Sequence, residues 1–166
     1  MRVSNIQKGF TLFEVIVVIA IISFVLTIAT ISIGDPQVKR MKQQSERVAA
    51  LIQLVKEQAI FNSQDYALSI WQSGYAFYTL NEAGWTPVSG DRIFRQRELP
   101  DGLEFVLYLD GIRVTLERED KKKPQIFVTS DGEISPFQLD VTDLEDWTYQ
   151  INFDELGDFE LELVEV

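Results

Sequence analysis

The 166-residue sequence contains neither cysteine nor histidine. Without cysteine the chain can form no disulfide, no cysteine metal site and no thiol nucleophile. Without histidine it lacks the commonest general base and metal ligand. Basic residues are also few, since 15 lysines and arginines stand against 26 acidic residues, for a formal net charge of −11. We therefore expect a chain that is not an enzyme, holds no cofactor and binds no nucleic acid, because binding phosphates needs a basic surface.

One long apolar run lies near the N-terminus, over residues 10–33, and its single charged residue is Glu14. As a helix it would measure about 36 Å at about 1.5 Å per residue, and the hydrocarbon core of a bilayer is about 30 Å thick. The run therefore predicts a membrane-crossing helix, and Arg2 and Lys8 before it favour a cytoplasmic N-terminus. A secretory signal would have a shorter apolar core, and a plain membrane anchor would leave the costly intramembrane Glu14 unexplained.

The start of this run resembles the type III signal of type IV prepilins and type II secretion pseudopilins, with residues 8–14 reading KGFTLFE. The resemblance implies that a prepilin peptidase cleaves between Gly9 and Phe10 and that Phe10 is then N-methylated. It also implies that Glu14, fifth in the mature chain, pairs with the amine of a neighbouring subunit during filament assembly. The alternative is that Glu14 reaches back to the cytoplasmic interface. Phe13 departs from the family pattern, which more often has leucine or isoleucine there.

Residues 34–62 are predicted to form a second, amphipathic helix, whose start is marked by a break at Gly34-Asp35-Pro36. Its apolar positions recur three and four apart and form one stripe. The stripe comprises Val38, Met41, Ser45, Val48, Ile52, Val55 and Ala59, widened by Leu51, Leu54 and Phe61. We expect it to pack on the chain's own sheet, with a coiled coil to a partner helix as the alternative.

From residue 63 onward the apolar pattern changes to a period of two, which predicts β-strands. Nine short strands are predicted: 66–71, 74–80, 93–99, 103–109, 112–117, 125–129, 137–141, 147–153 and 159–164. Asp110-Gly111 is typical of a two-residue hairpin connection. Short strands with frequent turns favour an antiparallel sandwich or two small β-sheets. The fold class is therefore α+β, with a long N-terminal helix packed on an antiparallel β-domain.

A second resemblance lies in residues 126–139, which read IFVTSDGEISPFQL. They are similar to the C-terminal signature of H-type minor pseudopilins and of the related FimT/FimU minor pilins. From the residues alone, Asp131-Gly132 is a strand turn and Phe137 a core anchor. The acidic residues of 143–146 and 154–158 match no calcium-loop pattern, and we interpret them as solvated surface.

These resemblances imply a pilin-like fold and a non-enzymatic, H-type minor pseudopilin of the type II secretion system. Residues 1–9 would be a cleaved leader, 10–33 a transmembrane and filament-core helix, 34–62 an amphipathic helix, and 63–166 a periplasmic β-rich domain. The partners would be other minor pseudopilins, the major pseudopilin, the prepilin peptidase and the inner membrane. The assembled pseudopilus would help to export folded proteins across the outer membrane. The alternatives are a FimT/FimU-like minor pilin, acting in pilus assembly, adhesion or DNA uptake, and a membrane anchor carrying an unrelated binding domain.

Overall fold

The computed structural model describes residues 12–31, 36–119, 123–143 and 147–165, with the side chains of its first helix described through Ser23. The chain divides into two compact units, residues 1–36 and 37–166. The described residues of the first unit include the helix α1 (Leu12–Ile31). The second contains nearly all of the helix α2 (Pro36–Asn62) and the β-strands.

The helix α2 begins at Pro36, whose fixed φ suits a first helical turn and whose missing N–H removes no helical hydrogen bond. The predicted stripe is confirmed from Met41 to Ala59: Met41, Ser45, Val48, Leu51, Ile52, Val55 and Ala59 are all buried. The prediction that Phe61 widens the stripe is wrong, because its side chain is 85% exposed. At about 100° per residue, Phe61 points away from the face that Ala59 presents to the core.

Ten strands form in the described part of the chain, and all their pairings are antiparallel. They are β1 (Tyr66–Trp71), β2 (Gly74–Asn81), β3 (Gly84–Pro87), β4 (Arg97–Glu98), β5 (Glu104–Leu109), β6 (Ile112–Val114), β7 (Ile126–Val128), β8 (Phe137–Thr142), β9 (Trp147–Phe153) and β10 (Phe159–Glu165).

The strands form two sheets. Sheet A has the order β3-β2-β1-β7, with β4 also pairing β2, and sheet B has the order β10-β9-β8-β5-β6. The buried stripe of α2 and the inner faces of both sheets share one hydrophobic core. The predicted α+β class, with a helix packed on two small antiparallel sheets, is confirmed.

The strand predictions fail mainly in the segment between β2 and β5. Residues 84–87, which form β3, were not predicted because a four-residue strand with a glycine and a proline at its ends gives little periodic signal. The predicted strand 93–99 is reduced to Arg97–Glu98. Before it, the Ile93 N–H donates to the Asp91 carboxylate at 2.6 Å, and Phe94 is buried in the core. The predicted strand 112–117 ends at Val114.

Aromatic side chains join the two sheets in the core. The Tyr75 ring of β2 lies 6.0 Å from the Phe105 ring of β5 and 5.9 Å from that of Phe77, both edge-on. A backbone hydrogen bond from the Phe105 N–H to the Gln72 carbonyl, 2.8 Å long, reinforces this junction. Burial raises the pKa of the Tyr75 hydroxyl, while the charges of Arg97 and Arg47 act in the opposite direction.

Gly74 lies at the start of β2, where the β1–β2 hairpin packs tightly against β4. An added Cβ would lie 2.5 Å from the backbone oxygen of Arg97 and 2.5 Å from a ring carbon of Trp71. Both neighbours are held in place, because Arg97 pairs with Tyr75 in the sheet and the Trp71 indole N–H donates to the Glu98 carboxylate at 3.2 Å. The close approach therefore requires glycine.

We expect Gly74→Ala to lower the free energy of unfolding by about 1–3 kcal/mol, the usual effect of overpacking a site that cannot relax. The matched control is Gly84→Ala, where φ is +99° and an added Cβ meets nothing within 4 Å. That change should cost only about 1 kcal/mol, from backbone conformation alone. Urea unfolding of the full chain in mild detergent, followed by tryptophan fluorescence, compares the two. Equal losses would contradict the steric explanation.

Candidate assembly site

The helix α1 exposes apolar side chains around its whole circumference. Every described side chain from Leu12 to Ser23 is exposed, and Leu12 and Phe13 are 79% and 75% exposed. The Ser23 hydroxyl donates to the Ile19 carbonyl at 2.8 Å, so it is satisfied within the helix. A helix that is apolar on all sides requires apolar surroundings on all sides, as in a helix bundle or a membrane.

In the portion of the chain that the structure describes, no helix has both the length and the apolar character that crossing a membrane demands. The predicted span over residues 10–33 includes positions at both ends that lie outside the described residues, and it stays a prediction.

Of the three predicted site residues, the structure describes Glu14 alone; Gly9 and Phe10 lie outside the described residues. Glu14 is exposed in the first turn of α1 and is the single charged residue of that helix. The unsatisfied N–H groups of a first turn favour a negative charge. An acid at this position is therefore compatible with the helix.

The signature segment 126–139 connects the two sheets, because β7 ends in sheet A and β8 begins in sheet B. Between them a tight turn forms: the Thr129 N–H donates to the Glu133 carbonyl and the Gly132 N–H donates to the Thr129 carbonyl, each at 2.9 Å. Gly132 has φ +91°, a value that favours glycine. The Thr129 hydroxyl donates to the exposed Asp131 carboxylate and lowers its pKa. The predicted strand turn is confirmed.

Phe137, at the far end of the signature, is 5% exposed and stacks on Phe153, with ring centroids 4.9 Å apart. Phe127, at the near end, lies on the face of sheet A that points away from the core. It is 40% exposed and contacts Trp85, with ring centroids 5.6 Å apart. The interpretation of Phe137 as a core anchor is confirmed, and the signature is a structural connection.

The loop between β9 and β10 is docked on α2. The Gln53 amide donates to the Gly157 carbonyl, and the Lys56 ammonium donates to the Leu156 carbonyl. The Ile134 N–H donates to the Glu155 carbonyl at 3.2 Å, which also ties the loop to the signature segment. The acidic residues of this loop are exposed, as predicted, but its backbone is fixed to the domain.

Asp140 is the one buried carboxylic acid among the described residues. Burial raises its pKa, while a 2.8 Å hydrogen bond from the Gln138 amide and the charge of Arg113 act in the opposite direction. Within the described ranges no group of three or more acidic residues is arranged to hold a metal ion. Asp140 and Gln138 lie two residues apart on the same face of β8.

An exposed apolar helix followed by one helix packed on two antiparallel sheets defines a pilin-like subunit. Two family models match the chain: the prokaryotic N-terminal methylation motif over residues 4–30 and the type II transport protein GspH over residues 44–157. Because the second match covers more than half of the chain, the chain belongs to the GspH family. The predicted H-type minor pseudopilin is confirmed.

Curated relatives and solved structures agree with this family. The chain is 34% identical over 144 residues to type II secretion system protein H of Pseudomonas aeruginosa, covering 80% of this chain and 81% of the relative. The corresponding protein of Aeromonas hydrophila is 30% identical over 148 residues, with 82% and 81% covered. The minor pseudopilin EpsH from the type 2 secretion system of Vibrio cholerae has a TM-score of 0.62 at 26% identity, covering 74% of this chain and 96% of that structure.

Proposed function

We propose that this pseudopilin is a non-enzymatic component of a type II secretion pseudopilus, held in the inner membrane by the helix predicted over residues 10–33. Its domains would be a leader over 1–9, that helix, an amphipathic helix over 34–62 and a periplasmic β-rich domain over 63–166. The observation that supports this proposal best is α1, whose described side chains are all exposed and, apart from Glu14 and Ser23, apolar. Exposed apolar surface of this extent marks a site of contact with other proteins or with a membrane.

The proposed processing is cleavage between Gly9 and Phe10 by a prepilin peptidase, followed by N-methylation of Phe10. It rests on the resemblance of residues 8–14 to the type III signal, and the methylation-motif match over residues 4–30 supports it. Cleavage would create a cationic amine at Phe10. Glu14 of one subunit would pair with that amine on a neighbour, because a carboxylate left alone among apolar helices is costly. The pair would fix the register of the subunits.

In this role the chain would join other minor pseudopilins and the major pseudopilin near the filament tip and assist the export of folded proteins across the outer membrane. The FimT/FimU-like alternative is less well supported, because the relatives are named as secretion-system proteins. DNA uptake is also disfavoured by charge. Removing residues 1–9 would take away two basic residues and no acid, which makes the acidic chain more acidic still.

Intact-mass analysis of the membrane-extracted chain tests the processing. We expect a chain that begins at Phe10 and carries one added methyl group, and we expect Gly9→Val to remain full-length. A wild-type chain that keeps residues 1–9 without a methyl group would contradict the proposal. Cleavage of Gly9→Val at the same rate as wild type would show that the cut lies elsewhere.

A deletion strain separates the two filament systems. We expect loss of exoprotein secretion with intact twitching motility, and restoration of secretion by the full-length gene supplied on a plasmid. Intact secretion with lost motility would instead support the type IV pilus alternative.

A further inference from the structure

The strand β10 (Phe159–Glu165) forms one edge of sheet B and, at seven residues, is the longest edge strand among the described residues. It begins after residue 157, where the match to the GspH family model ends. An edge strand carries unpaired backbone groups on its outer side and is a template for another strand.

The hydrogen bonding of the preceding loop determines which groups those are. The Asp154 N–H donates to the Asp158 carbonyl at 3.1 Å, and the Asp158 N–H donates to the Asp154 carboxylate at 2.9 Å. The polar backbone groups of Asp158 therefore point to residue 154, and the next pair along the ladder is Phe153 and Phe159. Bonded and non-bonded pairs alternate along an antiparallel ladder. The N–H and C=O groups of Glu160 and Glu162 therefore point to β9, and those of Phe159, Leu161 and Leu163 point to the open edge. Within the described ranges no hydrogen bond reaches these groups from another segment.

From Phe159 to Leu163, the side chains of β10 form two rows of different chemistry. On the inner face, Phe159 and Leu163 are 40% and 42% exposed although Phe159 stacks on Phe153, with ring centroids 5.3 Å apart. Leu161, between them, is half-buried against the core. On the outer face, Glu160 and Glu162 are exposed. The row of Phe159, Leu161 and Leu163 is thus only partly covered by the domain, and the opposite face of the strand carries the two negative charges of Glu160 and Glu162.

We propose that β10 accepts an extended segment of a partner protein as a sixth strand of sheet B, and that this segment alternates aliphatic residues with lysine or arginine. The aliphatic residues would cover Phe159 and Leu163, and the basic residues would lie opposite Glu160 and Glu162. Opposite charges directly across a strand pair are favourable and like charges are unfavourable. A second copy of β10 is therefore a poor partner, because antiparallel self-pairing about Leu161 sets Glu160 against Glu162. The inference stands independently of the proposed secretion function.

The probe is a synthetic peptide of alternating lysine and valine, titrated into the full chain in neutral detergent and followed by amide hydrogen exchange in NMR. In the free chain we expect fast exchange at Phe159, Leu161 and Leu163 and slow exchange at Glu160 and Glu162. Bound peptide should slow the first three amides and leave the other two little changed. A peptide of the same composition with its lysines in one block should not produce this alternating pattern.

Variants separate strand pairing from general attraction between charges. Glu160→Lys/Glu162→Lys should weaken binding of the lysine–valine peptide by about tenfold or more and create binding of a glutamate–valine peptide. Glu82→Lys/Asp101→Lys, with the same net charge change at exposed turn positions, should bind as wild type does. Leu161→Pro removes a backbone N–H that points to the open edge and takes no part in pairing with β9. The domain should therefore stay folded, and binding of the peptide should be abolished.

Two results would overturn the proposal. One is a lack of protection at Phe159, Leu161 and Leu163 at saturating peptide, or equal protection by the control peptide whose lysines stand in one block. The other is concentration-dependent protection of those amides without peptide, which would assign the edge to a second copy of the chain. Neither result bears on processing or secretion, so the two proposals can fail separately.

Discussion

Replacing Glu14 with leucine is expected to exclude the chain from the pseudopilus and to abolish the secretion that depends on it, while the β-domain stays folded. The change would leave the methylated amine of a neighbouring subunit without its partner among apolar helices. Leaving half of a buried charge pair unmatched typically costs about 3–5 kcal/mol, and each 1.4 kcal/mol is a tenfold change in an equilibrium constant. Incorporation should therefore fall by a factor of roughly a hundred or more.

Co-purification with the major pseudopilin measures incorporation, and exoprotein in the culture medium measures function. The control for acidity is Glu14→Asp, which keeps the charge and should retain part of both activities. The control for general loss of charge is Glu82→Leu, at an exposed turn in the β-domain, which should behave as wild type. If Glu14→Leu assembles normally, the pairing is absent and Glu14 instead reaches the cytoplasmic interface.

The largest loss of stability is expected from Phe137→Ala. Its ring is buried and stacked on Phe153, and removal of a buried phenylalanine typically costs about 3–5 kcal/mol. Phe127→Ala is the matched control, because it removes the same side chain from the same signature segment at a 40% exposed position. That variant should lose about 1 kcal/mol or less.

Chemical denaturation of the full chain gives both free energies of unfolding, and secretion gives the functional comparison. If Phe127→Ala lost secretion while keeping its stability, the exposed end of the signature would be a contact surface. Similar free-energy losses in the two variants would contradict the assignment of Phe137 alone to the core.

The elements that were predicted well are those whose signal lies within a few residues. The burial of α2 follows from helical spacing, since Met41, Val48 and Ile52 recur on one face. The β5–β6 hairpin follows from its turn: Asp110 and Gly111 have φ of 51° and 74°, as a tight two-residue connection requires. The same local turn chemistry explains Asp131 and Gly132 in the signature segment.

Other features were missed because the deciding contacts join residues far apart in the chain. The predicted strand 93–99 is reduced to Arg97–Glu98, and Phe94 before it packs on Phe77, 17 positions away in the chain, with ring centroids 5.2 Å apart. Gln53 and Gly157 are separated by 104 positions, so no local pattern indicates that the β9–β10 loop docks on α2. Phe61 continues an apolar pattern but lies on the uncovered side of the helix.

The sequence by itself determined the apolar helix with Glu14, the resemblance of residues 8–14 and 126–139 to one family, and the α+β class. Those properties depend on composition, periodicity and short motifs, all of which are local. The tertiary structure decided which strands share a sheet, and therefore that β10 is an edge and that Phe159, Leu161 and Leu163 direct their backbone groups outward. Strand neighbours are chosen by packing over the whole core, and an alternating sequence such as that of β10 reads the same in the middle of a sheet as at its edge.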